Sequence, residues 1–174
     1  MAITKIQSES LNLADDFAFT GTITGAGGVN TPAFWVTQSV SQSIPNATQT
    51  KIQFNSERYD TDNAYDNSTN YRFTVPSGKG GKYFFTYACA FGGFAADQML
   101  YIHLRINGTQ QNYNFLKNST SGDHSVNASS ILNLNAGDYV EVFVYHTHGS
   151  AIGTDTTSSA QYGAMYFGGY KIIE

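Results

Sequence analysis

The chain has 174 residues, of which 41% are hydrophobic and 14% aromatic, but only 13% charged. That length suits one domain, the apolar share excludes wholesale disorder, and a typical soluble domain carries about 25% charged residues, so charge is scarce here. A net charge of −4 argues against electrostatic binding to nucleic acid or to an anionic membrane, and the lack of a long apolar run argues against membrane insertion.

A monomer normally covers its outside with Lys, Arg, Asp and Glu. With few of these, either part of the surface is covered by other copies of the chain, or a neutral polar surface suits its surroundings.

Residues 1–30 differ from the rest. Leu11 to Phe19 lead into Thr20-Gly21-Thr22-Ile23-Thr24-Gly25-Ala26-Gly27-Gly28, whose glycines predict a linker and make this stretch an N-terminal arm. The first ten residues lack the apolar core of a signal peptide, so synthesis and assembly in a cytoplasm are expected. From Pro32 onward, short alternating apolar runs are punctuated by Asn, Gly, Asp and Pro, which is the all-β pattern.

Within that pattern, Asp60-Thr61-Asp62-Asn63-Ala64-Tyr65-Asp66 gathers oxygen ligands, and Asp60, Asp62 and Asp66 are candidates for Ca²⁺. The segment lacks the Gly at position six and the Glu at position twelve of an EF-hand loop, so a plain polar loop is the competing reading. Gly78-Lys79-Gly80-Gly81-Lys82 lacks the spacing of a phosphate loop and reads as a turn before a strand. The run Tyr83 to Phe91 is apolar on both faces, with Tyr83, Phe85, Tyr87, Cys89 and Phe91 on one and Phe84, Ala88 and Ala90 on the other. Cys89 is the single cysteine, so no intrachain disulfide is available and a buried, inert thiol is expected.

Leu100, Ile102, Leu104 and Ile106 share one face of the next strand, and Asn107-Gly108 is a hairpin signal because both residues tolerate positive φ. In Tyr139 to Tyr145 the valines take one face and Tyr139, Phe143 and Tyr145 the other. A sandwich strand in a monomer needs only one apolar face. The second apolar faces of these two strands therefore predict cover by another subunit. His146-Thr147-His148 puts two imidazoles on one side of a strand, roughly 7 Å apart by strand rise. His146 and His148 are candidates for an axial transition-metal site in an oligomer. Register with Val140, Val142 and Val144 instead turns them toward a core or a loop.

From Phe54 onward the order of motifs resembles the globular domain of complement C1q and its tumour necrosis factor-like relatives. Phe54, Asp60 and Tyr65 match its Phe, Asn/Asp and aromatic spacing, and Phe73 follows one residue late. Gly81, Tyr83, Phe85 and Tyr87 match its Gly-x-Tyr-x-Phe-x-Phe/Tyr after a two-residue insertion. Asn107-Gly108, Gly137-Asp138-Tyr139-Val140 and Phe167-Gly168-Gly169-Tyr170 are similar to its later motifs. The resemblance covers about residues 33–174 and implies a ten-stranded jelly-roll β-sandwich that assembles as a homotrimer. On that implication Phe143 and Tyr145 face the threefold axis, and Tyr83 and Phe85 belong to the subunit interface. No collagen-like Gly-x-y repeat is present.

Ile3 to Gly28 resembles segments that precede terminal domains in structural proteins of tailed bacteriophages. This implies a virion-surface protein, with residues 1–30 docking to other virion proteins and residues 31–174 forming the head. No catalytic constellation stands out: Gly-x-Ser-x-Gly is missing, and the four His have no evident Ser or Cys partner, so an enzyme is not expected. Five Asn-x-Ser/Thr sequons, at Asn46, Asn67, Asn107, Asn118 and Asn127, carry no weight without a secretory route.

Aromatic rings stack on apolar sugar faces and amides satisfy hydroxyls. The predicted receptor-binding loops accordingly carry Tyr59, Tyr65, Tyr71, Asn112, Tyr113, Asn118 and Tyr162. The expected role is recognition of a host-surface glycan or protein. The alternatives are a capsid decoration or cement protein and a cellular C1q-like lectin.

Overall fold

Alternation with period two places successive side chains on opposite faces, so runs such as Leu100 to Ile106 bury one row only by joining a sheet that packs on another. The computed structural model describes residues 29–156 and 165–172. Residues 1–28 of the predicted arm and Tyr162 lie outside the described residues.

Thirteen strands occur among the described residues: β1 (Ala33–Thr37), β2 (Ser43–Ile44), β3 (Thr50–Lys51), β4 (Ser56–Asp60), β5 (Tyr65–Asp66), β6 (Arg72–Thr74), β7 (Gly81–Phe94), β8 (Met99–Ile106), β9 (Thr109–Lys117), β10 (Gly122–Leu134), β11 (Tyr139–His146), β12 (Ile152–Gly153) and β13 (Tyr166–Lys171). They form two antiparallel sheets with the orders β10-β7-β13-β1-β4 and β5-β6-β11-β8-β9. The short β3 adds to β11, and β12 pairs with β2 apart from both sheets. The two main paths together hold the ten strands expected of the jelly roll.

The core lies between the sheets and is chiefly aromatic. The Phe34 ring stacks on Phe73 with centroids 4.9 Å apart and meets Phe167 edge-on at 4.9 Å, and Tyr65, Tyr83 and Phe85 complete the cluster. The aromatic motif residues thus serve packing. Offset and edge-on ring pairs add roughly 0.5–1.5 kcal/mol each beyond area burial. Tyr83 and Phe85 are fully buried there, which overturns their place in a subunit interface. The residue between them, Phe84, is the one that points outward, because alternation sends successive side chains of β7 to opposite faces.

Asn107 and Gly108 have φ of 50° and 79°, so the hairpin between β8 and β9 turns where the sequence indicated. Two of the residues predicted in receptor-binding loops are instead in a strand. Asn112 and Tyr113 belong to β9, and only residues 118–121 separate it from β10. Polar alternation hid this strand because β9 lies at the edge of its sheet and buries little of itself.

Gly168 and Gly169 let β13 lie flush on its neighbours. A Cβ on Gly169 would come 2.5 Å from Phe85 Cδ1 and 2.7 Å from the Phe84 carbonyl oxygen. Cys89 is wholly buried, and burial pushes its thiol pKa up.

Candidate functional site

The outer face of the second sheet carries an aromatic pocket. Strand β8 turns Leu100, Ile102 and Leu104 into the core, which leaves Tyr101, His103 and Arg105 on the outside. Register aligns Tyr145 and Phe143 of β11 with Tyr101 and His103, and β9 places Phe115 and Tyr113 against the same two residues. The result is an open pocket of about 270 Å³ lined by Gln49, Tyr101, His103, Gln110, Tyr113 and Tyr145.

Its walls are angled tyrosine rings. Tyr145 stands at 75° to Tyr101 with centroids 5.7 Å apart, and Tyr113 is tilted by 44° at 6.0 Å. Tyr113 is 55% exposed and free to meet a ligand. Phe115 stacks on Tyr101 at 5.3 Å and braces it from the side.

His103 lines the pocket and is only 2% exposed, yet its Nε2 has no hydrogen-bond partner. Its ring stacks on Phe143 with centroids 5.8 Å apart, and the Arg105 guanidinium lies 3.9 Å above the same phenyl ring. Burial, reinforced by the positive charge of Arg105, lowers the His103 pKa from 6.5 to about 4. The imidazole is therefore neutral at physiological pH, with one nitrogen a donor and the other an acceptor. Arg105 also donates to Gln49 Oε1, which leaves the Gln49 amide NH₂ available to the pocket. Beside it Lys51 pairs with Glu141 at 3.0 Å, so those charges neutralise each other.

The outer face of the first sheet is of another kind. Ile131, Phe84, Tyr170 and Ala33 form one cross-strand row over β10, β7, β13 and β1. Ile131 is 65% and Tyr170 40% exposed. The adjoining rows hold Ser129, Thr86, Gly168 and Trp35, then Asn127, Ala88, Tyr166 and Thr37, with Trp35 stacked on Tyr166 at 4.8 Å. No charged side chain occurs in these three rows. The second apolar face of β7 is this surface, and that of β11 is the pocket face.

A C1q domain model matches residues 33–172. The chain belongs to the C1q domain family. The globular domain of zebrafish complement 1qA is similar over 82% of this chain and 98% of its own, at 18% identity and a TM-score of 0.57. Murine APRIL is similar over 80% of this chain and 98% of its own, at 10% identity and a TM-score of 0.58. No curated protein matches the chain. The C1q domain is a non-catalytic recognition domain, and among the described residues no three His, Cys, Asp or Glu converge to hold a metal.

In this C1q domain the metal candidates are engaged otherwise. His146 is buried with the valines of β11: its Nε2 donates to the Ile44 carbonyl at 3.1 Å while its Nδ1 accepts from the His148 amide at 3.2 Å. Both nitrogens are occupied, so His146 has no lone pair to offer, and burial lowers its pKa. His148 packs edge-on against Phe94 at 5.6 Å.

Asp60 accepts from the amides of Asp62 and Tyr65, at 3.2 and 2.7 Å. Asp62 accepts from the Thr61 hydroxyl at 2.7 Å. Asp66 accepts from the Ser68, Thr69 and Asn70 amides, and those bonds hold its pKa well below the usual carboxylate range. These carboxylates close local turns, and among the described residues no three acidic, His or Cys side chains converge as a metal site.

The predicted recognition residues divide in the same way. Tyr65 is a buried core ring and Asn118 a buried amide that donates to the Ala95 and Thr120 carbonyls, so neither is available to a receptor. Tyr59 is exposed on the edge strand β4, Tyr71 is half-buried, and Asn112 bonds Ser130 at 2.7 Å. Tyr113 and Tyr145 do meet, at the pocket, although they were expected in a loop and at an axis. Tyr101, His103, Gln49 and Gln110 were not foreseen. The alternation of β8 contained the signal for the first two, since the face opposite Leu100, Ile102 and Leu104 reads Tyr-His-Arg.

Proposed function

We propose that this chain is a non-enzymatic recognition head, assembled as a homotrimer and displayed on the surface of a tailed-phage virion, where it binds a host-surface glycan or protein. The observation that carries the recognition reading is the pocket of Tyr101, Tyr113, Tyr145, Gln49 and Gln110 around the unpartnered His103 Nε2. Aromatic walls with a few directed polar groups are what a binding site requires.

Self-association is assigned to the other sheet. The uncharged rows around Phe84, Ile131 and Tyr170 offer exposed apolar area with neutral polar neighbours, which suits a second copy of the chain. The threefold number comes from the family resemblance. The virion setting comes from the likeness of Ile3 to Gly28 to phage structural proteins, with residues 1–30 as the attachment to other virion proteins after assembly in the host cytoplasm. The same uncharged face favours one alternative, a capsid decoration or cement protein that uses it for lateral contacts.

Light scattering of the purified chain tests the oligomer. A trimer mass that falls to a monomer mass in an Ile131→Lys, Tyr170→Ser double variant is expected, whereas a monomer in the wild-type chain refutes the assignment. A reconstruction of the virion tests the role. Density at the tail or on projecting fibres is expected, and trimers seated regularly on the capsid shell would replace recognition by decoration.

A further inference from the structure

We propose that the pocket on the outer face of the second sheet takes a single uncharged pyranose ring at the end of a glycan, with a ring hydroxyl bonded to His103 Nε2. This rests on the recognition reading and gives it a ligand class.

The argument begins with the orphan nitrogen. A buried polar atom without a partner is unfavourable, and such atoms are rare in native structures unless a ligand or water completes them. His103 lines the pocket, and its Nε2 is buried and unpartnered. Its complement has to suit a neutral imidazole, because the ring is desolvated and faces the positive charge of Arg105. A hydroxyl both donates and accepts, so it satisfies Nε2 in either tautomer. An ammonium group would be repelled by Arg105. A purely apolar side chain would fill the space but leave Nε2 dry and unpaired.

The walls select the rest of the ligand. Tyr145 at 75° to Tyr101, and Tyr113 at 44°, form a cleft with rings on two sides rather than a flat platform. The C–H face of a pyranose packs on such rings while its hydroxyls point to the rim. At the rim stand the amides of Gln49 and Gln110. Gln49 is oriented by Arg105 through its oxygen, which leaves its NH₂ as the donor for a hydroxyl oxygen. No Asp, Glu, Lys or Arg lines the pocket, so no side chain of its lining can form an ion pair with a charged ligand. A volume of about 270 Å³ lies at the small end of ligand pockets, the size of one ring rather than of an extended chain.

The experiment uses the full chain, its His103→Phe and Tyr113→Ala variants, and the methyl pyranosides of glucose, galactose, mannose and N-acetylglucosamine as probes. Phenylalanine keeps an aromatic ring to stack on Phe143 while removing both nitrogens, and Tyr113 is exposed enough for truncation to spare the fold. Saturation-transfer NMR reports binding, and long-range ¹⁵N correlation of the imidazole reports His103. At least one pyranoside is expected to bind with millimolar affinity, to move the Nε2 resonance, and to bind about tenfold more weakly to each folded variant. The proposal is overturned if none of the four moves Nε2 at about 100 mM, if the variants bind as well as the wild type, or if acetate or inorganic phosphate competes better than any sugar.

Adhesion of the same protein to host cells separates the two readings. If adhesion persists without pyranoside binding and is abolished by protease treatment of the cells, the receptor is a protein: the recognition reading stands and the pyranose fails. If neither adhesion nor pyranoside binding occurs, both fail.

Discussion

Replacing His103 by phenylalanine should remove a defined part of the acid sensitivity of this fold. The folded chain keeps the imidazole neutral down to about pH 4, because burial and Arg105 disfavour its charged form, whereas the unfolded chain protonates it near 6.5. The stability contributed by the neutral ring is therefore fully present above pH 6.5 and is lost as the pH falls toward 4. By proton linkage, the full difference between 6.5 and about 4 corresponds to about 3 kcal/mol. The open mouth of the pocket lets water screen part of that charge, which reduces the expected effect to roughly 2 kcal/mol. His146 shifts in the same direction through burial but is present in both proteins, so the difference between them isolates His103. Carboxylates such as Asp66 and Asp138, lowered by their hydrogen bonds, act at more acid pH.

The assay is urea unfolding at one fixed protein concentration, followed by the fluorescence of the single tryptophan, Trp35, between about pH 7 and pH 4. At pH 7 the variant should be as stable as the wild type or up to about 1 kcal/mol more stable, since an unpaired buried nitrogen has gone. Toward pH 4 its advantage should grow by roughly 2 kcal/mol. Parallel stability curves for the two proteins would refute the argument, because His103 would then titrate alike in the folded and unfolded chains.

Gly169→Ala should destabilise the fold by about 2–3 kcal/mol, since the new methyl meets the Phe85 ring and the Phe84 carbonyl and must push β13 off β7; thermal melting checks this, and an unchanged Tm would show that the strands can part cheaply. Cys89 should resist thiol reagents in the native protein and react fully in denaturant, because its burial suppresses the thiolate; rapid labelling of the folded chain would contradict the packing. Ca²⁺ should leave the melting temperature unchanged, as the carboxylates of Asp60 and Asp66 are already held by backbone amides. A rise reversed by chelation would restore the acidic loop as a metal site.

The sequence alone determined the fold class and three of the long strands. Period-two alternation is local, and Asn107-Gly108 announces its own turn, so β7, β8 and β11 and the β8–β9 hairpin were legible residue by residue. The same alternation showed that β7 and β11 carry a second apolar face. It could not show which face looks inward when both are apolar. That is why Tyr83 and Phe85 were placed outside and proved to be core, with Phe84 as the outward residue.

The pocket belongs to the tertiary structure. His103 and Tyr145 stand far apart along the chain and meet only because β11 pairs with β8 and β8 with β9 in one register. A shift by one residue would send every one of these side chains to the opposite face. Register follows from the packing of all the strands at once, and no single strand's pattern contains it. The scarcity of charge was visible in the composition. Only the sheet order located it, in three uncharged rows over β10, β7, β13 and β1 and one aromatic pocket over β9, β8 and β11.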